Sequence, residues 1–364
     1  MSAITAALHR AGTSLWLDNI TRDMLDDGTL ARYVDELSVT GLTSNPSIFN
    51  LAVKNSASYD TAIAEKVAAG RSGEELFFEL AIEDLTRAAD LFAGIHARSG
   101  GVDGWVSLEV SPLLAYDTAA TIDAACRLHA QAGRENVYIK IPGTPEGLPA
   151  IQEAIYRGVP VNVTLLFSRE QYLAAADAYL RGIERRVEEG LSPRVCSVAS
   201  LFISRWDTPI KGKVPAELEN TLGIAVGKQC YRAYRDLISS DRMARLCNFG
   251  GSPQRLLWAS TGTKDPAAAD TLYVDSLVAP QTVNTMPEKT LLAFADHGTV
   301  TPPLSAGGGE GDLEVGRVER AGIDVAALAG TLQKDGAEAF VKSWKELLGV
   351  IDQKASSVAV GGGR

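Results

Sequence analysis

Eight short runs rich in β-forming residues, each ending in polar side chains and each followed by a longer helical stretch, divide this sequence. They are Ser14 to Asp18, Val39 to Ser44, Gly104 to Val110, Val137 to Ile141, Pro160 to Phe167, Val195 to Phe202, Arg255 to Ser260 and Thr282 to Thr285. Such alternation predicts parallel strands joined by crossover helices. Eight strands in series close naturally into a (β/α)8 barrel, whereas an open doubly wound sheet more often has roughly five to seven strands and a glycine-rich first turn. The first turn here, LDNITRDML, is not glycine-rich.

Helix starts fall between the runs: Asp117 before an alanine-rich stretch, Thr144-Pro145, Ser168 with Gln171 as a capping box, and Asp265-Pro266. Barrels of 364 residues commonly form one domain, so a single domain over 1–364 is expected. Within it, 304–317 reads as a glycine-rich loop and 318–352 as C-terminal helices packed on the barrel.

Alternate side chains of a barrel strand point into the lumen. On that reading Trp16 and Asp18 share the inner face of the first strand. Trp105, Ser107 and Glu109 share that of the third, Tyr138 and Lys140 that of the fourth, Asn162 and Thr164 that of the fifth, and Ser200 and Phe202 that of the sixth. The positions between them, such as Leu15, Leu17, Leu108, Ile139, Ile141, Val163 and Leu165, are apolar and would pack against the outer helices. An unpaired buried charge is strongly unfavourable, so Asp, Glu and Lys at inner positions call for a reason. They sit near strand C-terminal ends, where barrels build active sites.

Lys140 lies between Ile139 and Ile141 and precedes Pro142-Gly143. In a low-dielectric lumen its neutral amine would be favoured, the form that attacks a ketone. The other reading is a lysine paired with Asp18 or Glu109 in a structural network. Imine chemistry also needs groups to move protons, and the two carboxyls could do so; each alone could equally be a cap or an ion-pair partner. Asn45, in TSNPS, is open between a site residue and a turn residue before Pro46. Ser200, Arg205 and Lys264 could converge on one phosphate, although Arg205 could instead be a surface cation beside Asp207. The segment STGTKDP would present backbone amides ahead of a helix at Asp265-Pro266, a phosphate cradle.

Composition narrows the function. A net charge of −10 opposes nucleic acid or an anionic membrane as main partner, both of which need a concentrated positive footprint. No apolar run reaches the length of a bilayer span, and the first residues lack the pattern of a secretory signal, so a cytoplasmic setting is expected. Four dispersed cysteines and four histidines indicate neither a disulfide framework nor a metal site. Neither a P-loop nor a GxGxxG turn is present, which disfavours nucleotide binding.

The strings SLWLDN, GLTSNPSIF, VSLEVSPLLAYD, VYIKIPGT, NVTLLFS, SLFISRWD and VNTMP together resemble the transaldolases, in the longer form found in bacteria such as actinobacteria, over nearly the whole chain. The resemblance implies a cofactor-free, metal-free enzyme. It would transfer dihydroxyacetone from sedoheptulose 7-phosphate to glyceraldehyde 3-phosphate, giving erythrose 4-phosphate and fructose 6-phosphate, in the non-oxidative pentose phosphate pathway. It further implies that Lys140 forms the Schiff base, that Asp18 accepts the proton in carbon–carbon cleavage, and that Glu109 with Thr164 handles the catalytic water. Asn45 and Asn162 would bind substrate hydroxyls, Ser200 and Arg205 the phosphate, and Phe202 would wall the pocket. Ser260 would bind substrate as well. One departure stands out. Shorter members carry an arginine two residues beyond a serine after the seventh strand, where Ser260 is here followed by Thr261 and Gly262; Lys264 is the expected substitute.

Two other readings remain at this level. One is a fructose 6-phosphate-type aldolase on the same scaffold, which would release free dihydroxyacetone. The other is a sugar-phosphate binder without catalysis, against which the set Asp18, Glu109, Lys140 and Thr164 speaks. The sequence leaves the oligomeric state open between monomer and homodimer.

Overall fold

Each β-rich run forms a strand: β1 (Thr13–Asp18), β2 (Val39–Thr43), β3 (Val106–Glu109), β4 (Val137–Pro142), β5 (Val161–Leu166), β6 (Ser197–Phe202), β7 (Arg255–Ala259) and β8 (Thr282–Met286). The structure, a computed structural model, describes residues 2–361. The strands close in the order β1 to β8, and β8 pairs with β1, every pairing parallel. This is the (β/α)8 barrel expected from the alternation. It arises because apolar outward residues such as Leu15, Leu17, Ile139, Ile141 and Val163, all without solvent exposure, bury against a helical layer.

The lumen is stratified. At its floor Trp105 stacks on Tyr138 with ring centroids 3.9 Å apart, and Trp16 approaches the same tyrosine at 6.2 Å. Gly41 of β2 makes room for them, since a Cβ there would stand 2.6 Å from Trp105 O and 2.8 Å from the Trp16 indole. Above the aromatic floor lies a hydroxyl and amide layer, in which Ser200 Oγ donates to Asn162 Oδ1 (2.7 Å) and Asn162 Nδ2 donates to Ser107 Oγ (3.1 Å). The charged groups come next, at the C-terminal ends of the strands.

The helix signals hold at most places. Asp117 caps Thr118–Ala132 by accepting from Ala120 N, and Ser168 with Gln171 forms a capping box on Arg169–Glu188. Thr144 Oγ1 accepts from Gly147 N at the start of Gly147–Tyr156. At Asp265-Pro266 no helix forms. Asp265 instead accepts from Ala267 N and Asn220 Nδ2 and pairs with Lys211, closing a turn, and the next helix is the short Leu272–Ser276. The helix N-terminus expected to back a phosphate cradle there is therefore absent. After β8 the chain forms Glu288–His297, then Gly311–Arg320, which begins inside the segment expected as a loop, and finally the 37-residue helix Val325–Gly361. That last helix crosses the C-terminal mouth of the barrel. Gln333 reaches the ends of β4 and β5, Ser343 bonds Ser47, Trp344 Nε1 donates to Glu74, and Lys354 pairs with Asp60.

Candidate active site

Parallel pairing sets the charged groups side by side. Glu109 of β3 is in register with Lys140 of β4, and Lys140 with Asn162 of β5. Lys140 is 5% exposed; its Nζ donates to Ser44 O at 2.9 Å and lies 3.4 Å from Glu109 Oε2. Glu109 Oε1 is buried with no hydrogen-bond partner. Burial pushes the Glu109 carboxyl above its ordinary value, against the opposing pull of Lys140.

Asp18, at the end of β1, faces Thr43, its register partner on β2. Thr43 Oγ1 donates to Asp18 Oδ1 at 2.6 Å and stands 2.7 Å from Thr285 Oγ1 on β8. Each hydroxyl carries one proton, so the chain has one direction: Thr285 donates to Thr43, and Thr43 to Asp18. Burial raises the Asp18 carboxyl, with Lys140, the Thr43 hydroxyl and Lys264 pulling the other way. Two carboxyls held above their usual range around one amine form a set suited to passing protons.

A cavity of about 210 Å³ opens above this layer. Of the eleven expected site residues, Asp18, Asn45, Lys140, Thr164, Ser200, Phe202, Arg205, Ser260 and Lys264 line it. Two do not. Glu109 lies beside Lys140 behind the wall, and Asn162 is fully buried beneath, with both ends of its amide bonded to Ser200 and Ser107. Asn45 is the turn residue before Pro46: its Oδ1 accepts from Ile48 N as the cap of Pro46–Asn55, and the residue also lines the cavity. Arg205 is not paired with Asp207. That carboxyl turns into the core, accepting from Tyr273 OH (2.8 Å) and Gly223 N (3.3 Å), and burial pushes its pKa up to about 6. Arg205 and the exposed Lys264 are thus left to face the cavity, which with Lys140 has three cationic side chains and one acid, Asp18, on its wall.

Two strand ends beside the cavity are strained. Leu165 (φ 59°) and Ser260 (φ 55°) occupy the left-handed region, which for non-glycine residues costs on the order of 1–3 kcal/mol each. Leu165 was expected to pack outward. Its left-handed turn shifts the β5–β6 register between Val163 and Leu166, and its side chain meets Gly336 of the last helix instead. Sequence reasoning also passed over Thr43, Thr285, Ser47 and Phe340, all of which line the cavity. Thr43 could have been found, two residues after Gly41 on one strand face. Phe340 could not, because it arrives from the last helix.

A larger hollow of about 890 Å³ lies at the opposite end, among strand starts. Its polar groups serve one another: Asp103 accepts from Ser14, Trp16 and Thr40, and Arg255 donates to Val102 O and Thr282 O. The Asp103 carboxylate there is already shared among the Ser14 and Thr40 hydroxyls and the Trp16 indole. Among the described residues, no group of three or more His, Cys, Asp or Glu side chains is arranged to hold a metal ion.

Residues 15–351 match the family model described as Transaldolase/Fructose-6-phosphate aldolase. Curated relatives named transaldolase include one from Renibacterium salmoninarum, 45% identical over 100% of this chain and 99% of the relative. Others come from an Arthrobacter species (44% identical, 98% and 99% covered) and from Mycolicibacterium smegmatis (44%, 94% and 95%).

Proposed function

Given that this chain belongs to the transaldolase/fructose-6-phosphate aldolase family, we propose that Lys140 carries its reaction as a Schiff-base nucleophile. The activity is that of a transaldolase. The observation that carries the assignment of the lysine is its Nζ at the head of the lumen, beside Glu109, under a cavity that also holds Asp18, Arg205 and Lys264.

The neutral amine of Lys140 adds to the ketone of sedoheptulose 7-phosphate, and the carbinolamine loses water to give an iminium ion. Glu109 and Thr164 give and take the protons of that step; the unpartnered Glu109 Oε1 and Thr164 Oγ1 have capacity for a water molecule. Asp18 then removes the proton from the hydroxyl next to the breaking carbon–carbon bond. The bond's electron pair moves into the iminium, and erythrose 4-phosphate leaves as the aldehyde. Glyceraldehyde 3-phosphate takes its place, the steps reverse, and water releases fructose 6-phosphate. Arg205 and Lys264, with Ser200 and Ser260, hold the phosphate; Asn45 meets substrate hydroxyls, and Phe202 and Phe340 wall the site. Asn162 acts here by holding Ser200. A cytoplasmic setting is part of the same proposal; no helix of the described residues is long and apolar enough to cross a membrane.

Borohydride trapping with fructose 6-phosphate and peptide mass mapping tests the lysine. The expected result is a reduced three-carbon adduct on Lys140, absent from Lys140→Met. A folded wild-type protein that yields no adduct would overturn the assignment of Lys140.

A further inference from the structure

Thr164 and Leu165 end β5 in a geometry that the sheet does not hold alone. Leu165 takes φ 59°, and the ladder to β6 is interrupted there. Its carbonyl accepts from Gln333 Nε2 at 2.9 Å, and the same amide donates to Gly143 O at 3.0 Å. Gly143, next after β4, donates its own N–H to Thr164 O at 2.7 Å. One side chain of the last helix therefore ties the end of the strand bearing Lys140 to the end of the strand bearing Thr164. Gly336, nearly one turn further on, permits the approach: a Cβ there would stand 2.9 Å from Leu165 Cδ2. Thr164 Oγ1, meanwhile, is buried without a hydrogen-bond partner, so its direction follows from the backbone that Gln333 restrains.

We infer that Gln333 is a positioning residue for the transfer reaction: by bonding the carbonyls of Gly143 and Leu165 together it keeps the left-handed turn after Thr164 and so aims the Thr164 hydroxyl at the imine on Lys140. The inference rests on the reading above, in which Glu109 and Thr164 handle the water of imine formation. It makes the last helix part of the catalytic apparatus and not only a cover. A carbonyl pair deprived of its shared donor relaxes toward ordinary strand geometry, and misplacement of a catalytic group by about 1 Å can cost on the order of a hundredfold in rate.

Gln333→Leu removes both donated bonds at similar volume. It is expected to lower kcat on the order of tenfold to a hundredfold, with KM for fructose 6-phosphate changed less than about twofold, because Gln333 bonds none of the phosphate-facing side chains. Gln333→Glu offers a donor only while its carboxyl is protonated, so its kcat relative to wild type should rise as pH falls; a purely structural role would leave that ratio flat. A kcat for folded Gln333→Leu within about twofold of wild type, or a flat Gln333→Glu ratio, overturns the inference. If Gln333→Leu does not fold, the Gln333→Glu ratio decides alone. Borohydride trapping on the same preparations separates the two levels. Wild type without an adduct would sink the Schiff-base role of Lys140, whereas adduct formation on Lys140 at equal rates in wild type and Gln333→Leu would sink only the role of Gln333.

Discussion

Asp18 and Glu109 both feel the attraction of Lys140 in a space where burial outweighs it, and both carboxyls stand above their ordinary values. For Asp18 the ordinary value is 3.8. A carboxyl whose pKa is raised by folding holds its proton more tightly in the native state. Its contribution to stability is complete below pH 3.8 and is lost as pH rises through the folded value. Asp18→Asn keeps an acceptor for Thr43 Oγ1 without the buried charge. Its Tm should match wild type at acid pH and exceed it increasingly above, while kcat falls on the order of 10²–10⁴-fold. Equal Tm values at neutral pH would show that Lys140 fully offsets the burial. Period-two reading found Lys140, Asp18, Thr164 and Ser200 as inward groups because a strand repeats every two residues whatever surrounds it. It could not show that Asn162 is enclosed by Ser200 and Ser107, since that depends on neighbouring strands.

At the scale of elements, the strands were legible almost to the residue, while the cap at Asp265-Pro266 misled. A helix start there lost to tertiary partners, Asn220 and Lys211, that claim the Asp265 carboxylate. The last helix was legible as amphipathic but its docking was not. Trp344, 1% exposed, lies against Phe77 at 4.8 Å and Phe78 at 5.5 Å and donates to Glu74. Trp344→Ala should destabilise by about 3–5 kcal/mol. Truncation before Val325 removes Gln333 and Phe340 together and should cost most of the activity, read by the coupled transfer assay alongside Tm. A truncated chain with full activity and unchanged Tm would reduce the helix to an appendage.

Across the whole molecule, a net charge of −10 repels anionic sugars at long range, and the cavity reverses that field locally with Lys140, Arg205 and Lys264. Raising ionic strength from about 0.01 M to 0.15 M shortens the screening length from roughly 30 Å to 8 Å. The exposed Lys264 is the most screened of the three. KM for the phosphorylated donor should therefore rise with salt at nearly constant kcat, and Lys264→Ala should raise KM about twofold to fivefold and flatten that dependence. An unchanged KM in Lys264→Ala would remove this lysine from the phosphate site and leave Arg205 with the hydroxyls.

The order of the strands, the barrel they close into, and the strand ends that carry Lys140, Asp18 and Thr164 are all properties of sequence alone. They follow from local periodicity and from which side chains tolerate burial. The tertiary structure decided which carboxyl meets the lysine, how Thr285 and Thr43 lead to Asp18, why Arg205 is free of Asp207, and how Gln333 and Phe340 enter the site. Those facts depend on groups far apart in the chain, such as Thr43 and Thr285, separated by 242 positions, and contacts of that kind exist only after strands and helices have packed.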